Sequence, residues 1–451
     1  PTEHQSHWWK NLTPGESFES VPVSVGSLIG GFDEAMGELT KYRRAIRRSN
    51  ADNENLPVIF NDYMNCLFAD PTTEKELPLI EAAKEAGCEY YVIDAGWYAD
   101  GFWWDYVGEW LPSAKRFPNG LEEVTNRIVE KGMVPGVWLE LEVMGIKCPL
   151  ADQVPEDWYF IRHGKKVSDR SRYQLDFRNP AVQKYASDVI DRLVRDYRVG
   201  YIKMDYNIEP GIGTEIGADS FGEGLLGHER AYLEWLEGIF EKYPQLVIEN
   251  CSSGGLRMDY AMLSRYSIQS TSDTEDYIKY STIAANAPSA LTPEQAAVWS
   301  YPLKEGDDEE AVFNMVNAML LRIHQSGHLA QISRERFALV KEGIDYYKKI
   351  RRDLRQGLPF WPIGPASYQD GWASVAIVSG KKTYMAVWRR GSQESTVTLP
   401  HKCLRGKKAE AVCAYPADGR GCRFAWNNTL GELTVELSEK ISARIFEITE
   451  L

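Results

Sequence analysis

The sequence predicts an α/β fold: a (β/α)8 TIM barrel followed by a C-terminal antiparallel β domain. Three observations carry this. Short β-rich runs alternate with amphipathic helical stretches through most of the chain, a pattern that pairs strands in parallel through right-handed crossovers. About eight such units are present, enough to close a barrel. Near residue 366 the pattern changes to period-two alternation with glycine turns, the mark of antiparallel sheet.

Residues 1–32 carry Gly, Pro and aromatics without a period and are expected to be extended. Residues 33–49 predict a helix whose basic end suits its C-terminal dipole. Strands are expected at 57–65, 90–97, 134–142, 200–207, 245–255 and 266–276, with weaker ones near 288–292 and 328–333. Between them, helices are expected at 74–87, 180–198 and 228–243. Val182, Tyr185, Val189, Leu193 and Val194 form a helical stripe, and Pro180 fits the first turn. The expected division is 1–55 for an N-terminal segment and linker helix, 56–365 for the catalytic barrel, and 366–451 for a C-terminal β-sandwich. An open doubly wound sheet is the architectural alternative.

Composition narrows the function classes. The 451 residues are 43% hydrophobic, enough for a large core, and no run approaches the ~20 uncharged apolar residues of a membrane span. A net charge of -14 repels nucleic-acid phosphates, and no basic stripe offsets it. Seven scattered Cys with no CxxC pair suggest reduced thiols and a cytoplasmic setting. Aromatics reach 12%, with 14 Trp, which suits either a large aromatic core or a sugar site.

Barrel active sites lie at the C-terminal ends of the strands. Those ends hold Asp62, Asp94, Glu140, Asp205, Cys251 and Asp273. Cleaving a glycosidic bond needs two carboxyl groups flanking the anomeric carbon, about 5–5.5 Å apart in a retaining enzyme. Asp205 in YIKMDYN is the nucleophile candidate: Lys203 lies two positions earlier, on the same strand face, where it would lower the Asp205 pKa and donate to a hydroxyl. The same spacing also describes a structural ion pair. Asp273 in QSTSDTEDY is the acid/base candidate, near Glu275 and Asp276; the plain alternative is an acidic turn with Ser272 or Asp273 capping the next helix.

The segments YIKMDYN, ENCSSGGLRMDYAML and TSDTED stand in the order and spacing of glycoside hydrolase family 36, the α-galactosidases, which this chain resembles from about residue 14 to beyond 360. YYVIDAGW and KRFPNGL match too, and VWLELE more weakly. The resemblance implies that Asp205 is the nucleophile and Asp273 the acid/base. It implies that Lys203 and Asp94 hold sugar hydroxyls, that Trp138 stacks on the sugar or walls the pocket, and that Cys251 and Gly254 sit beside the C2 hydroxyl. Tyr63, Asp62 and Trp97 are further expected substrate contacts. Arg257 matches a family position and is equally an ion-pair partner.

There are departures. The family usually has two adjacent Asp after its second strand, and here the second is Ala95. Asp62-Tyr63 stands where Trp is common, and residues 286–303 differ from the usual form. Residues 1–32 are expected to be the trailing edge, or a shortened replacement, of the β-sandwich that usually precedes the barrel.

Other signals are discounted. His324 and His328 lack a third ligand and HExxH spacing, so no metal is expected. SVGSLIGGF lacks the Lys-Ser/Thr of a phosphate loop. Trp8-Trp9 suit packing, and Trp103-Trp104, falling after the second strand, suit substrate contact. Cys251 has no neighbouring His in sequence to activate it.

The expectation is a retaining exo-α-glycosidase, foremost an α-galactosidase acting on oligosaccharides or glycosides. It needs no cofactor or metal, has no nucleic-acid or membrane partner, and homo-oligomerisation is plausible. The alternatives are the same mechanism on α-N-acetylgalactosamine, galactosamine, a pentopyranose or a glucoside, and a catalytically inactive carbohydrate-binding protein.

Overall fold

A computed structural model describes residues 7–451. Eight parallel strands close a barrel: β1 (Ile59–Asn61), β2 (Tyr90–Ile93), β3 (Val134–Leu139), β4 (Tyr201–Met204), β5 (Val247–Asn250), β6 (Ile268–Ser270), β7 (Ala296–Ser300) and β8 (Arg322–Gln325). β8 pairs back onto β1. The last two strands correct the sequence reading. Residues 288–290 end a helix instead, and β8 ends before residue 328.

Helices follow each strand: α1 (Thr73–Ala86), α2 (Leu121–Glu130), α3 (Pro180–Tyr197), α4 (Phe221–Lys242), α5 (Tyr260–Leu263), α6 (Tyr277–Ala290), α7 (Asp308–Ala318) and α8 (Arg334–Gln356). Their starts are written in the sequence. Thr72, Asn179, Ser220, Asp259, Asp276, Asp307 and Ser333 each accept a backbone N–H as N-cap, and Pro180 occupies the first turn of α3. The linker helix Phe32–Ile46 ends at Arg47, whose backbone turns extended, and Arg43 and Arg44 lie in its last turn. Residues 7–31 form no helix or strand; backbone N–H groups of Trp9 and Asn11 bond to Ser220 and Asp219 at 3.0 Å each, tying the segment to the start of α4.

The C-terminal domain has β9 (Leu358–Phe360), β10 (Trp372–Ser379), β11 (Lys382–Arg390), β12 (Thr396–Pro400), β13 (Ala409–Tyr415), β14 (Cys422–Asn427), β15 (Glu432–Leu437) and β16 (Ile441–Glu450). One sheet runs β9-β10-β11-β16-β13 and a second β12-β15-β14, all antiparallel. Met385, Val387, Leu399, Leu433, Val435, Phe446 and Ile448 fill the core of this domain. Its first strand precedes residue 366, where the period-two pattern becomes visible in the sequence.

The barrel interior is layered by the period-two alternation of its strands. Ile59, Val92, Tyr201, Val247, Ile268 and Ala297 form a separate buried apolar cluster, one residue from each of six strands. Gly136 belongs to this level on β3, since a Cβ there would meet Val92 at 2.9 Å and Tyr201 at 3.0 Å. Two residues further along each strand come Asn61, Asp94, Trp138, Lys203, Glu249, Ser270 and Trp299, all buried. Two further again are Asp205 and Cys251. The apolar level therefore fixes which side chains face the mouth.

Two residues before His324 on β8 stands Arg322. Its guanidinium grips Asp52 in a bidentate pair at 2.7 and 2.8 Å, with neither side chain accessible to solvent beyond 1%. Removing one partner leaves the other charge buried and unpaired. Asp52→Ala is expected to lower the unfolding free energy by about 3–5 kcal/mol, read as an earlier urea midpoint by tryptophan fluorescence; an unchanged midpoint would contradict the role assigned to this pair.

Candidate active site

Asp205 lies just past the end of β4 and is held by three N–H donors. The Trp138 indole donates to Oδ2 at 3.0 Å, and the backbone N–H groups of Tyr206 and Ser253 donate to Oδ1 at 2.8 and 3.2 Å. Three N–H donors give this carboxylate a defined orientation. Ser253 is held in turn by Asn207, whose side-chain oxygen accepts from the Ser253 backbone at 3.0 Å and from its hydroxyl at 2.7 Å. Asn207 lies two residues after Asp205, so strand periodicity alone could have flagged it.

Lys203 does not pair with Asp205 as the sequence spacing predicts. Its ammonium sits 2.9 Å from Asp94 Oδ2, with both side chains almost fully buried. Burial opposes the charge, but Asp94 together with Cys251, Asp273 and Glu249 outweighs it and holds the ammonium well above the usual lysine range. Asn61 donates to the same Asp94 oxygen at 2.6 Å, and the Ala95 N–H donates to the other at 2.8 Å. The Lys203 ammonium also lies 5.1 Å from the Trp299 ring centre and 5.8 Å from that of Tyr63. Burial, then the nearby Asp94 charge, push the Tyr63 hydroxyl up to about 12, so Tyr63 is a neutral donor at the wall.

Asp273 lies beyond β6, at the mouth. Solvent reaches it from above, yet enough protein surrounds it that desolvation pushes its carboxyl up to about 6; Lys203 works against this, and the charges of Asp205 and Asp94 work with it. The helix-cap alternative falls to its neighbour: Asp276 accepts the N–H groups of Ile278 and Lys279 at the start of α6. Asp273 is left facing the other two carboxylates.

The Cys251–Gly255 turn fixes how the β5 and β6 loops meet. Gly254 has φ of +84° and bridges to Ser272. A Cβ at Gly254 would stand 2.6 Å from the Ser272 Cα, and one at Gly255 would stand 2.5 Å from the Thr271 carbonyl oxygen. Only glycine lets the turn carrying the Ser253 N–H lie against the backbone leading into Asp273. Cys251 is buried beside Lys203 and Asp205. Burial, then the Asp205 charge, push its thiol well up, so it is a neutral wall residue.

Several expected contacts are placed elsewhere. Trp138 is not an open stacking platform, because Tyr98 stacks near it at 17° and Trp103 meets it edge-on. Trp97 is fully buried behind it, donating to the Trp138 carbonyl at 3.0 Å. Asp62 turns away from the mouth, and its Oδ1 accepts the Asp94 N–H at 2.7 Å. Arg257 is taken up by Glu142 at 2.5 Å and Glu229 at 2.8 Å, the ion-pair alternative. Trp103 and Trp104 are half-buried at the rim, and Arg172 lies 3.5 Å over the Trp104 ring while pairing with buried Glu140 at 2.8 Å. Trp299 escapes the sequence reading, which places β7 too early in the chain; it stacks on His324 at 4.1 Å and supports the floor under Lys203.

The arrangement can therefore present one fixed carboxylate, one proton-holding carboxyl and a buried Lys–Asp pair to a small neutral ligand bearing hydroxyl groups.

Known proteins resemble this chain in sequence and in fold. The melibiase family profile matches residues 22–357. The chain is 24% identical to alpha-galactosidase AgaA of Geobacillus stearothermophilus over 425 residues, covering 88% of this chain and 55% of that protein. It is 28% identical to alpha-galactosidase 1 of Pediococcus pentosaceus over 378 residues, covering 81% and 51%. It thus spans about half the length of these curated relatives. Among solved structures, a doubly substituted GH36 alpha-galactosidase AgaA of Geobacillus stearothermophilus in complex with raffinose superposes with a TM-score of 0.80 at 19% identity, covering 93% of this chain and 58% of that one. The galactosidase domain of AgaSK gives 0.76 at 22% identity, covering 92% and 58%. By the profile match across most of its length, the chain belongs to the melibiase family.

Proposed function

We propose that this protein is a retaining exo-α-glycosidase that hydrolyses terminal α-D-galactosyl residues of oligosaccharides by double displacement. The observation that carries the reading is the unlike environment of two carboxyls at one barrel mouth. Asp205 is held by three N–H donors, while desolvation and the Asp205 charge keep Asp273 protonated up to about 6. Carboxyls in surroundings this different divide into nucleophile and acid.

In the first step Asp205 Oδ attacks the anomeric carbon from the β face, and the bond to the leaving oxygen breaks as Asp273 gives that oxygen its proton. In the second, Asp273 takes a proton from water, whose oxygen attacks the anomeric carbon and displaces Asp205, restoring the α anomer. Lys203, Asp94 and Tyr63 supply donors and acceptors to sugar hydroxyls. No step calls for a metal or cofactor. The galactose assignment rests on the names of the relatives, raffinose in one relative's structure, and the buried Lys203–Asp94 pair of this chain.

Ala95 favours a second reading on the sugar. It is buried beside Asp94 and brings no carboxylate of its own, so an α-linked amino sugar, pentopyranoside or glucoside is the alternative, which a panel of aryl α-glycosides separates. The seven unpaired thiols suit a reducing compartment such as the cytoplasm, and self-association is part of the same reading.

Wild-type protein is expected to release p-nitrophenol from p-nitrophenyl α-D-galactopyranoside, and Asp205→Ala to lose at least about 10³-fold in kcat. Undiminished turnover by that variant would remove Asp205 as nucleophile. Because Asp273 must carry a proton to act as acid, and its carboxyl sits near 6, kcat/KM on raffinose should fall with rising pH through about 6, approaching about tenfold per unit. With a dinitrophenyl leaving group that needs no proton, the alkaline limb should flatten. An identical limb on both substrates would assign the titration to another group.

A further inference from the structure

Behind Asp94, on the side away from the sugar, two carboxyl side chains face each other in the packed layer between barrel and helices. Asp62 follows β1 and Glu76 lies on α1; they are 2% and 0% exposed. Each has one oxygen with an ordinary partner: Asp62 Oδ1 accepts the Asp94 N–H at 2.7 Å, and Glu76 Oε2 accepts the Tyr91 hydroxyl at 2.6 Å. The remaining oxygens, Asp62 Oδ2 and Glu76 Oε1, are both buried with no N–H or O–H donor, and the two side chains are within hydrogen-bonding reach of each other. Two acceptors facing each other without a donor repel, and burial amplifies this. A single proton between them removes the conflict and satisfies both oxygens.

We propose that Asp62 and Glu76 share one proton, and that this pair makes Asp62 a positioning residue that fixes the backbone of Asp94 rather than a sugar contact. The proposal rests on the reading of Asp94 as a hydroxyl-binding group. The other ionisable groups acting on the pair are Asp94, which opposes ionisation of Asp62, and exposed Lys75, which favours it on Glu76; Tyr91 donates to Glu76, and the Cys66 thiol lies beside both. Desolvation, then the Glu76 charge, drive the Asp62 carboxyl well above its usual range, and desolvation raises Glu76 as well, so the pair favours holding a proton between its two facing oxygens. With Asn61 holding the Asp94 carboxylate and Asp62 its N–H, both ends of that residue are set before a sugar arrives.

Infrared difference spectroscopy in H2O and D2O tests the shared proton. Wild-type protein at neutral pH should show a deuterium-sensitive protonated-carboxyl band that is absent in Asp62→Asn and in Glu76→Gln, where the new amide supplies the donor. A band missing from the wild type, or unchanged in both variants, would overturn the pair. Kinetics tests the positioning. Asp62→Asn keeps an acceptor for the Asp94 N–H and a donor for Glu76, so KM should stay within about twofold, whereas Asp62→Leu should raise KM about tenfold with a smaller change in kcat. Equal KM in Asp62→Leu would refute positioning. Wild-type protein inert towards every α-galactoside would sink the proposed substrate while leaving the infrared result to decide the pair.

Discussion

The site depends on one buried ion pair, Lys203 with Asp94. The barrel mouth gathers Asp94, Asp205, Glu249 and Glu140, all buried, with Asp273 open to solvent above them. Carboxylates so placed repel one another, and the cheapest relief is to bind protons. Lys203 limits this. Its charge holds down the pKa of Asp273 and of Glu249, which burial nonetheless raises to about 7. A single ammonium pointed at Asp94 thus sets neighbouring carboxyls in different fields, a difference that the double displacement proposed above would use. Since the field is built from fixed groups, little reorganisation is required as charge develops on a substrate.

The barrel supplies the geometry by arithmetic. An apolar level at Val92, Tyr201 and Val247 forces Asp94, Lys203 and Glu249 inward two residues later, and Asp205 and Cys251 two residues after the last two. Replacing glycine at 136 would push Val92 and Tyr201 apart at the level on which the rest stands. The C-terminal domain braces the same scaffold from outside: Arg444 on β16 pairs with Glu309 on α7 at 2.7 Å, and the Tyr415 hydroxyl donates to the Leu339 carbonyl in α8 at 3.0 Å.

Much of this is legible in the sequence, and the failures have physical causes. The first six strands announce themselves because apolar runs end in polar site residues. β8 does not, since RIHQ puts Arg322 and His324 into the lumen, where a buried ion pair and a ring stack replace aliphatic packing. Sequence places β7 too early because Pro288 suggests a break, yet it is accommodated within α6. At the site, Asp205, Asp273, Lys203 and Asp94 are reachable from position and spacing. Partner choice is not. That Lys203 turns to Asp94, that Trp138 gives its N–H to Asp205, and that Asp62 faces a helix are decided by neighbours from other strands, which one-dimensional periodicity does not order.

The placement of the cysteines has a practical consequence. Cys251 is walled in beside Lys203 and Asp205, with its thiol pushed well above the usual range, while Cys66, Cys88 and Cys148 are buried in the barrel domain. Cys403 is exposed, on the C-terminal domain just past β12. A maleimide dye or a solid support therefore meets the thiols of the C-terminal domain before those of the barrel: exposed Cys403, and half-buried Cys422, whose thiol a hydrogen bond with Cys413 pulls below its usual range, so the native chain carries its own handles for tethering.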